Sequence, residues 1–381
     1  MTTALREYGH DVDVYTKSFA GDEELDWRGV KVHRVVPLWD RRMRIDRLDR
    51  LVPRSVYAPY QDLKAASSLW RRWKQANRKS KYDIVQVANV QAVGWYFRKL
   101  KGTPVVTRLS SYRPAWDTAF GVEETREVRW RWWMEKKAVC WTRHIYAATH
   151  FVAGLTEEHY GLSGIRVIES PFHHEEPESD TEDYDRYCRG KDYVLYFGRQ
   201  TQMKGVHFLA QALPEVMKKN PDMHAVFVGS AAVAPDGGTM HDWVKRHLSE
   251  VSDRLVILDS VRHDRLYPIV SNARIVALPS LIDNLPNTCL EAMALSRPVL
   301  ATTGTCFEQL IDDGRSGLLV KPECVESLQA GLQRAWALST EERASMGAAA
   351  AQRIHELRPE VKVPELIQYY EEILKKQSGV L

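Results

Sequence analysis

Two cations and two acids carry the chemistry legible in this sequence. Arg199 and Lys204 lie in GRQTQMKG, directly after the apolar run YVLYF. Asp283 and Glu291 stand in DNLPNTCLE with seven residues between them. Arginine offers phosphate oxygens a planar fork, and lysine offers a mobile point charge. Gly198 follows the expected strand and a helix is expected from residue 206, so free backbone N–H groups and the helix dipole point to the same place. Such a corner can hold a diphosphate and stabilise its departure. A carboxylate only accepts hydrogen bonds and has room for the two donors of a vicinal diol. Each motif also has a plainer reading. Arg199 and Lys204 can be surface residues of a βα loop. Asp283 can cap a helix that starts near Asn287, and Glu291 can be a solvated first-turn acid.

The elements that must position these residues follow from apolar runs and breaks. Residues 275–278 read as a buried strand broken at Pro279. A polar loop at 283–288, a helix at 289–295 and a second apolar strand at 299–301 follow. Strand, loop, helix, strand is a βαβ unit, so a parallel sheet is expected, with ligands beyond the carboxyl ends of its strands. The rest alternates in the same way. Strands are expected at 12–16, 31–36, 83–87, 104–108, 144–148, 166–169, 193–197, 224–228 and 255–258. Helices are expected at 40–54, 63–78, 91–100, 123–142 and 206–220, with others toward the end. The stretch 171–189 is acidic and without apolar periodicity, and reads as a linker. The predicted organisation is a first domain at 1–170, a linker at 171–190 and a second domain at 191–360. A last helix at 361–381 packs back on the first domain. A cleft between the domains is the default binding place.

Composition narrows the class. The chain has 381 residues, enough for two domains, and a net charge of only +3, too small to argue for nucleic acid. Its five cysteines, Cys140, Cys188, Cys289, Cys306 and Cys324, are scattered and form no CxxC pair, which suits a reduced, cytoplasmic chain. No apolar run is long enough to span a membrane, and no signal peptide is legible. The chain opens on a helix-like MTTALREY followed by a strand. The opening strand and loop of an α/β domain are therefore expected either upstream of Met1 or missing from the first half-domain.

FGRQTQMKG resembles the diphosphate-binding motif of family 4 of the retaining glycosyltransferases. Asp283 and Glu291 resemble that family's paired acids, usually two glutamates, and DNLPNTCLEAMALSRPV matches a common variant of the motif. YGHDVDVYT resembles the end of the family's first helix and its second strand. Glu308, in CFEQLIDDGRSGLLV, matches a further acidic position. The resemblance implies a GT-B fold, two Rossmann-like doubly wound domains, and transfer of a sugar from a nucleoside diphosphate sugar to a hydroxyl acceptor, in surface polysaccharide or glycolipid synthesis. Arg199 and Lys204 would hold the diphosphate, Glu291 the ribose hydroxyls and Asp283 the donor sugar. Backbone N–H groups near Leu285 and Asn287, with Asn284 and Thr288 beside them, would reach sugar or phosphate. Val261 and Arg262 would flank the base. Neither a metal nor a cofactor is implied, and no enzymic nucleophile stands out. The chain departs from the family in carrying aspartate for the first acid and Pro286 where glycine is frequent. It has Leu109, Ser110 and Ser111 where a histidine is usual.

Other features leave alternatives open. Arg108, Ser110, Ser111, Tyr112 and Arg113 follow a strand end in the first domain and suit acceptor or phosphate contacts, or an ordinary polar loop. Arg41, Arg42, Arg44, Arg47 and Arg50 crowd one helix. LWRRWKQANRKSK follows in the next, with Trp70 and Trp73 on one helical face. These stretches fit an anionic membrane surface reached from the cytoplasm, with a lipid-linked acceptor, or a solvated basic face whose Trp residues pack on the sheet. Trp130, Trp132, Trp133 and Trp141 fall on more than one face, which predicts burial. His173 and His174 are expected in solvent. A sugar-nucleotide epimerase of similar fold lacks a legible acid and base pair. A nucleotide-sugar-binding or membrane-associated protein without turnover is the reading from another class.

Overall fold

The computed structural model describes residues 1–37, 52–174 and 178–377. The expected basic helix at 40–54 lies almost wholly outside them. The chain divides into two compact units, 1–171 with 359–381, and 172–358.

The first unit opens on a short helix, Thr2–Glu7, and carries two ladders. β1 (Asp13–Lys17), β2 (Glu23–Trp27) and β3 (Val30–Val35) form one sheet, in which β1 pairs with β3 in parallel and β2 is antiparallel to β3. The β2–β3 turn uses Arg28 and Gly29, both at positive φ (51° and 79°), the hairpin geometry that matches strand twist. β4 (Val85–Ala88), β5 (Val105–Leu109), β6 (His144–Ala147) and β7 (Arg166–Val167) form a parallel sheet in chain order. The last helix, Pro359–Gln377, sets Leu366, Tyr369 and Ile373 against Val106, Tyr146 and Ile168, and Val363 against Ala4 and Leu5. Each such buried side chain is worth about 2 kcal/mol.

The second unit is one six-stranded, all-parallel sheet. Its strands are β8 (Asp192–Phe197), β9 (Met223–Val228), β10 (Leu255–Leu258), β11 (Ile275–Leu278), β12 (Val299–Thr302) and β13 (Leu318–Val320). Their spatial order is β10-β9-β8-β11-β12-β13. β11 and β12 are buried at every position, as expected of a sheet covered on both faces, and so read as continuous apolar runs. The helix Val206–Lys219 buries Leu209, Ala210, Leu213, Val216 and Met217 along one stripe.

Several expectations are corrected. The helix expected at 91–100 is a 3₁₀ stretch, Val90–Lys99, broken by Gln91 and Ala92 in left-handed conformations. The stretch 172–190 is no free linker. It belongs to the second unit and forms a helix, Glu182–Tyr187, and its acids Asp180, Glu182 and Asp183 gather on Arg265. His174 is half-buried between Phe172 and Tyr267, whereas His173 is exposed. Of the two alternatives for Trp70 and Trp73, Trp73 takes the packed one: it is buried against Phe97 and Tyr82, while Trp70 is half-buried beside Tyr96. Burial fails for Trp130, Trp133 and Trp141, which are 41%, 44% and 40% exposed. Trp132 is half-buried, its indole donating to Asp117 (2.7 Å).

Candidate functional site

In the second unit the strand order reverses between β8 and β11. In open α/β sheets that crevice, beyond the carboxyl ends, is where ligands bind. Both candidate motifs lie there, one after each strand. The loops are joined through the main chain, Leu281 N–H donating to Met203 O (2.8 Å). Their approach requires glycine at 205. Its φ is +68°, and a Cβ there would stand 1.8 Å from Pro279 O. Gly229 (φ +132°), after β9, is confined in the same way, since a Cβ there would stand 2.1 Å from Gly198 O.

Each loop ends on a helix, Val206–Lys219 or Asn287–Ala294, and neither helix has a side-chain cap. Among the described residues five other helices do, from Thr125, Thr149, Thr239, Cys324 and Ser339. An uncapped helix start leaves backbone N–H groups for an anion. Asp283 therefore does not cap the helix after it. Arg199 beside these starts is exposed, and no described residue pairs with it.

Asp283 is 7% exposed and well partnered. Its Oδ2 accepts from Lys204 Nζ (2.5 Å) and Ser280 Oγ (3.2 Å), and its Oδ1 from Asn284 N–H (3.0 Å). The structure thus pairs the residue expected on the sugar with one expected on the diphosphate. Leu285 sits at φ 52°, a conformation costing about 1 kcal/mol or more for a residue with a Cβ. Its N–H donates to Cys306 Sγ (3.2 Å), so it is not open to a ligand. Asn287 and Thr288 occupy the uncapped first turn.

Glu291 is buried within the same helix, and burial lifts its carboxyl above the usual range. His263 opposes that shift, its Nε2 lying 3.5 Å from the carboxylate. Nothing in the local string VRHDR marks His263; only the fold brings it to Glu291. Arg262, before it, is exposed and paired to Asp264 (2.7 Å), and Val261 is half-buried on the core holding Leu278 and Leu285. Glu308 follows β12 and is exposed, its carboxylate taking the Gly304 N–H (3.0 Å).

The strand ends of the first unit are built differently. Asn89 Oδ1 accepts from Ser110 N–H (2.8 Å) and Oγ (3.1 Å), and its Nδ2 donates to the Ser111 carbonyl (2.7 Å). Tyr112 stacks on His159, and Arg108 donates to Ser170 (2.8 Å). Arg113 is spent internally, on Glu135 (3.1 Å) and Asp117 (3.1 Å), rather than presented to a phosphate. Glu135 also accepts the Gln91 N–H (2.8 Å), which holds the left-handed turn. Burial pushes its carboxyl up to about 7, against the pull of Arg113 and the Gln91 N–H.

Two family models match the chain. One described as "Glycosyltransferase Family 4" covers residues 1–176, and one described as "Glycosyl transferases group 1" covers 191–337. The chain belongs to the family 4 glycosyltransferases. It is 25% identical to the D-inositol 3-phosphate glycosyltransferase of Paenarthrobacter aurescens, over 84% of this chain and 78% of that enzyme. It is 29% identical to the alpha-D-kanosaminyltransferase of Streptomyces kanamyceticus, but over 34% of this chain and 32% of that one, about a third of its length. Among solved structures, this glycosyltransferase aligns with sucrose-phosphate synthase from Thermosynechococcus elongatus at a TM-score of 0.75 and 18% identity, covering 98% and 92% of the two chains. It aligns with Anabaena HepE in complex with UDP at 0.62 and 19%, covering 82% of each. Those likenesses show the fold, GT-B with two Rossmann-like domains.

Proposed function

We propose that this glycosyltransferase is a retaining, metal-independent enzyme. It moves a sugar from a nucleoside diphosphate sugar to a hydroxyl of a sugar or lipid-linked acceptor, in the synthesis of a surface polysaccharide or glycolipid. One observation carries the reading: two uncapped helix starts, with Arg199 and Lys204, converge on the β8–β11 crevice. That is an electropositive corner, and it suits a diphosphate leaving group. Arg199 meets the diphosphate first, being exposed and unpaired. Lys204 joins it by leaving Asp283, whose carboxylate then accepts from donor-sugar hydroxyls. Glu291, with His263 against it, takes the ribose diol.

The bond from the anomeric carbon to the phosphate oxygen breaks with its electron pair on the diphosphate. The acceptor oxygen bonds to that carbon on the same face, and its proton passes to the departing phosphate oxygen. The configuration is kept, with no enzymic nucleophile. UDP is the first base to test, because HepE was solved with UDP and with UDP-glucose. The enzyme is expected to act in the cytoplasm, on the inner face of the membrane.

The test incubates the full chain with UDP-, GDP- and ADP-sugars, with and without sugar and lipid-linked acceptors. Free nucleoside diphosphate and the anomeric configuration of the product are followed, with and without EDTA. Acceptor-dependent release, a retained anomer and indifference to EDTA are expected. An inverted product removes the same-face step, isomerised donor replaces transfer by epimerisation, and binding without release removes turnover.

A further inference from the structure

The helix Arg126–Cys140 presents a stripe that the transfer reaction does not use. Arg126, Trp130, Trp133, Lys137 and Trp141 recur at intervals of three or four, which places them on one helical face. The three indoles are each about two-fifths exposed. Trp95, from the 3₁₀ stretch alongside, completes the row. It lies 5.8 Å from Trp133 and 4.7 Å from Trp141 between ring centroids, and Trp130 meets Trp133 at 5.4 Å. Arg98 lies over two of these rings, 4.9 Å from Trp95 and 4.3 Å from Trp141. Four indoles in contact are thus set among cations, and the stripe carries no acid.

Two further observations say what covers this face. First, none of the four indole N–H groups donates to a described residue. Trp132 does, and its position turns it to the opposite side of the helix. Second, the charge on the stripe and on the 3₁₀ stretch beside it is all positive: Arg98, Lys99, Arg126 and Lys137. Wide, flat rings with a free polar edge, among long cationic side chains, suit the boundary between lipid headgroups and acyl chains. There the ring enters apolar surroundings, the N–H meets carbonyl or phosphate oxygen, and the cations meet phosphate. Charge complementarity selects an anionic surface.

We infer that the Trp95–Trp130–Trp133–Trp141 row, with Arg98, Arg126 and Lys137, is an interfacial docking surface for anionic phospholipid. It is a surface distinct from the basic helix Arg54–Lys79. There Trp73 is buried, Trp70 is half-buried against Tyr96 with Lys74 over its ring, and Arg72 is paired with Glu24, so no row of exposed indoles forms. The inference rests on this face and not on the transfer reading, and vesicle binding is read without donor or acceptor. Its failure therefore leaves that reading standing.

The experiment sediments the full chain with vesicles of phosphatidylglycerol and phosphatidylcholine, and with phosphatidylcholine alone. Tryptophan quenching by brominated lipids is followed in parallel. Binding to the anionic vesicles with quenching is expected. Trp130→Ala/Trp133→Ala should weaken it about tenfold or more, and Arg126→Glu/Lys137→Glu likewise. Trp27→Ala, at another exposed indole, should change nothing. The unmodified chain and the charge pair decide the matter should the tryptophan pair fail to fold. Absence of quenching, or binding undiminished in the charge pair, overturns the inference. So does a dimer that these substitutions dissociate in the absence of lipid, which would make the face a contact between copies of the chain.

Discussion

The two units treat the carboxyl ends of their parallel strands in opposite ways. In the first, the polar groups after β4 and β5 consume one another. Asn89 holds Ser110 and Ser111, and Arg113 is divided between Glu135 and Asp117. In the second, the groups after β8 and β11 are left open: two helix starts are uncapped and Arg199 is unpaired. Lys204 and Asp283 neutralise each other there, and His263 lies against Glu291. An edge whose polar groups are bonded largely to one another offers a surface against which a neutral hydroxyl compound can be placed. An edge with uncompensated positive potential asks for an anion to complete it. The contrast suits a donor that brings charge to one unit and an acceptor that brings shape to the other.

The contrast can be broken most severely at Gly205. Gly205→Ala sets a Cβ 1.8 Å from Pro279 O at a left-handed φ, so the two loops must part. A loss of stability of roughly 3 kcal/mol or more is expected, together with loss of any thermal shift that the nucleoside diphosphates of the donor panel produce in the unmodified chain. Next come the two cations, which the structure separates. Arg199→Ala and Lys204→Ala should each lower transfer by roughly 10²-fold or more. Only Lys204→Ala should also lower the melting temperature, because it leaves Asp283 buried without its counter-charge. Equal melting temperatures would remove the distinction between a free and a paired cation.

The smallest effect is expected in the first unit. The folded state holds a proton on Glu135 up to about 7, whereas the unfolded chain releases it near 4.5. The contribution is complete below the lower value and is lost as pH rises through the higher, so stability falls across that window, by roughly 1–3 kcal/mol. Melting curves of Glu135→Gln should fall less steeply there, the remaining slope belonging to groups such as Glu291; an unchanged slope would assign none of it to Glu135.

What could be read from the sequence follows from these same differences. The second unit was legible because parallel strands buried on both faces are unbroken apolar strings, and the loops after them carry the charges. The β2–β3 hairpin was not, since β2 is exposed along its whole length and its Arg28–Gly29 turn has no Asn-Gly or Asp-Gly signature. Gln91 and Ala92 take left-handed conformations with no glycine to announce them, because the Glu135 carboxylate holds the turn from a distant helix. His263 reaches Glu291 only through the packing of two helices. The tryptophans of 130–141, weighed together, fall on several faces. Weighed singly, Trp132 is alone on the inner side, and the other three share a stripe with Arg126 and Lys137. The paired acids were legible as a motif, but their partners in the fold, a lysine for one and a histidine for the other, were not.

The main-chain bond from Leu281 to Met203, with Gly205 pressed on Pro279, bears on how this enzyme can be re-engineered. The two donor loops are riveted into a single part. A graft of 279–291 from another family member, made to change the donor sugar, would inherit a partner loop shaped for a different backbone. Residues 198–205 and 279–291 therefore belong in one exchange, and chimeras that carry both should lose less melting temperature than single-loop chimeras.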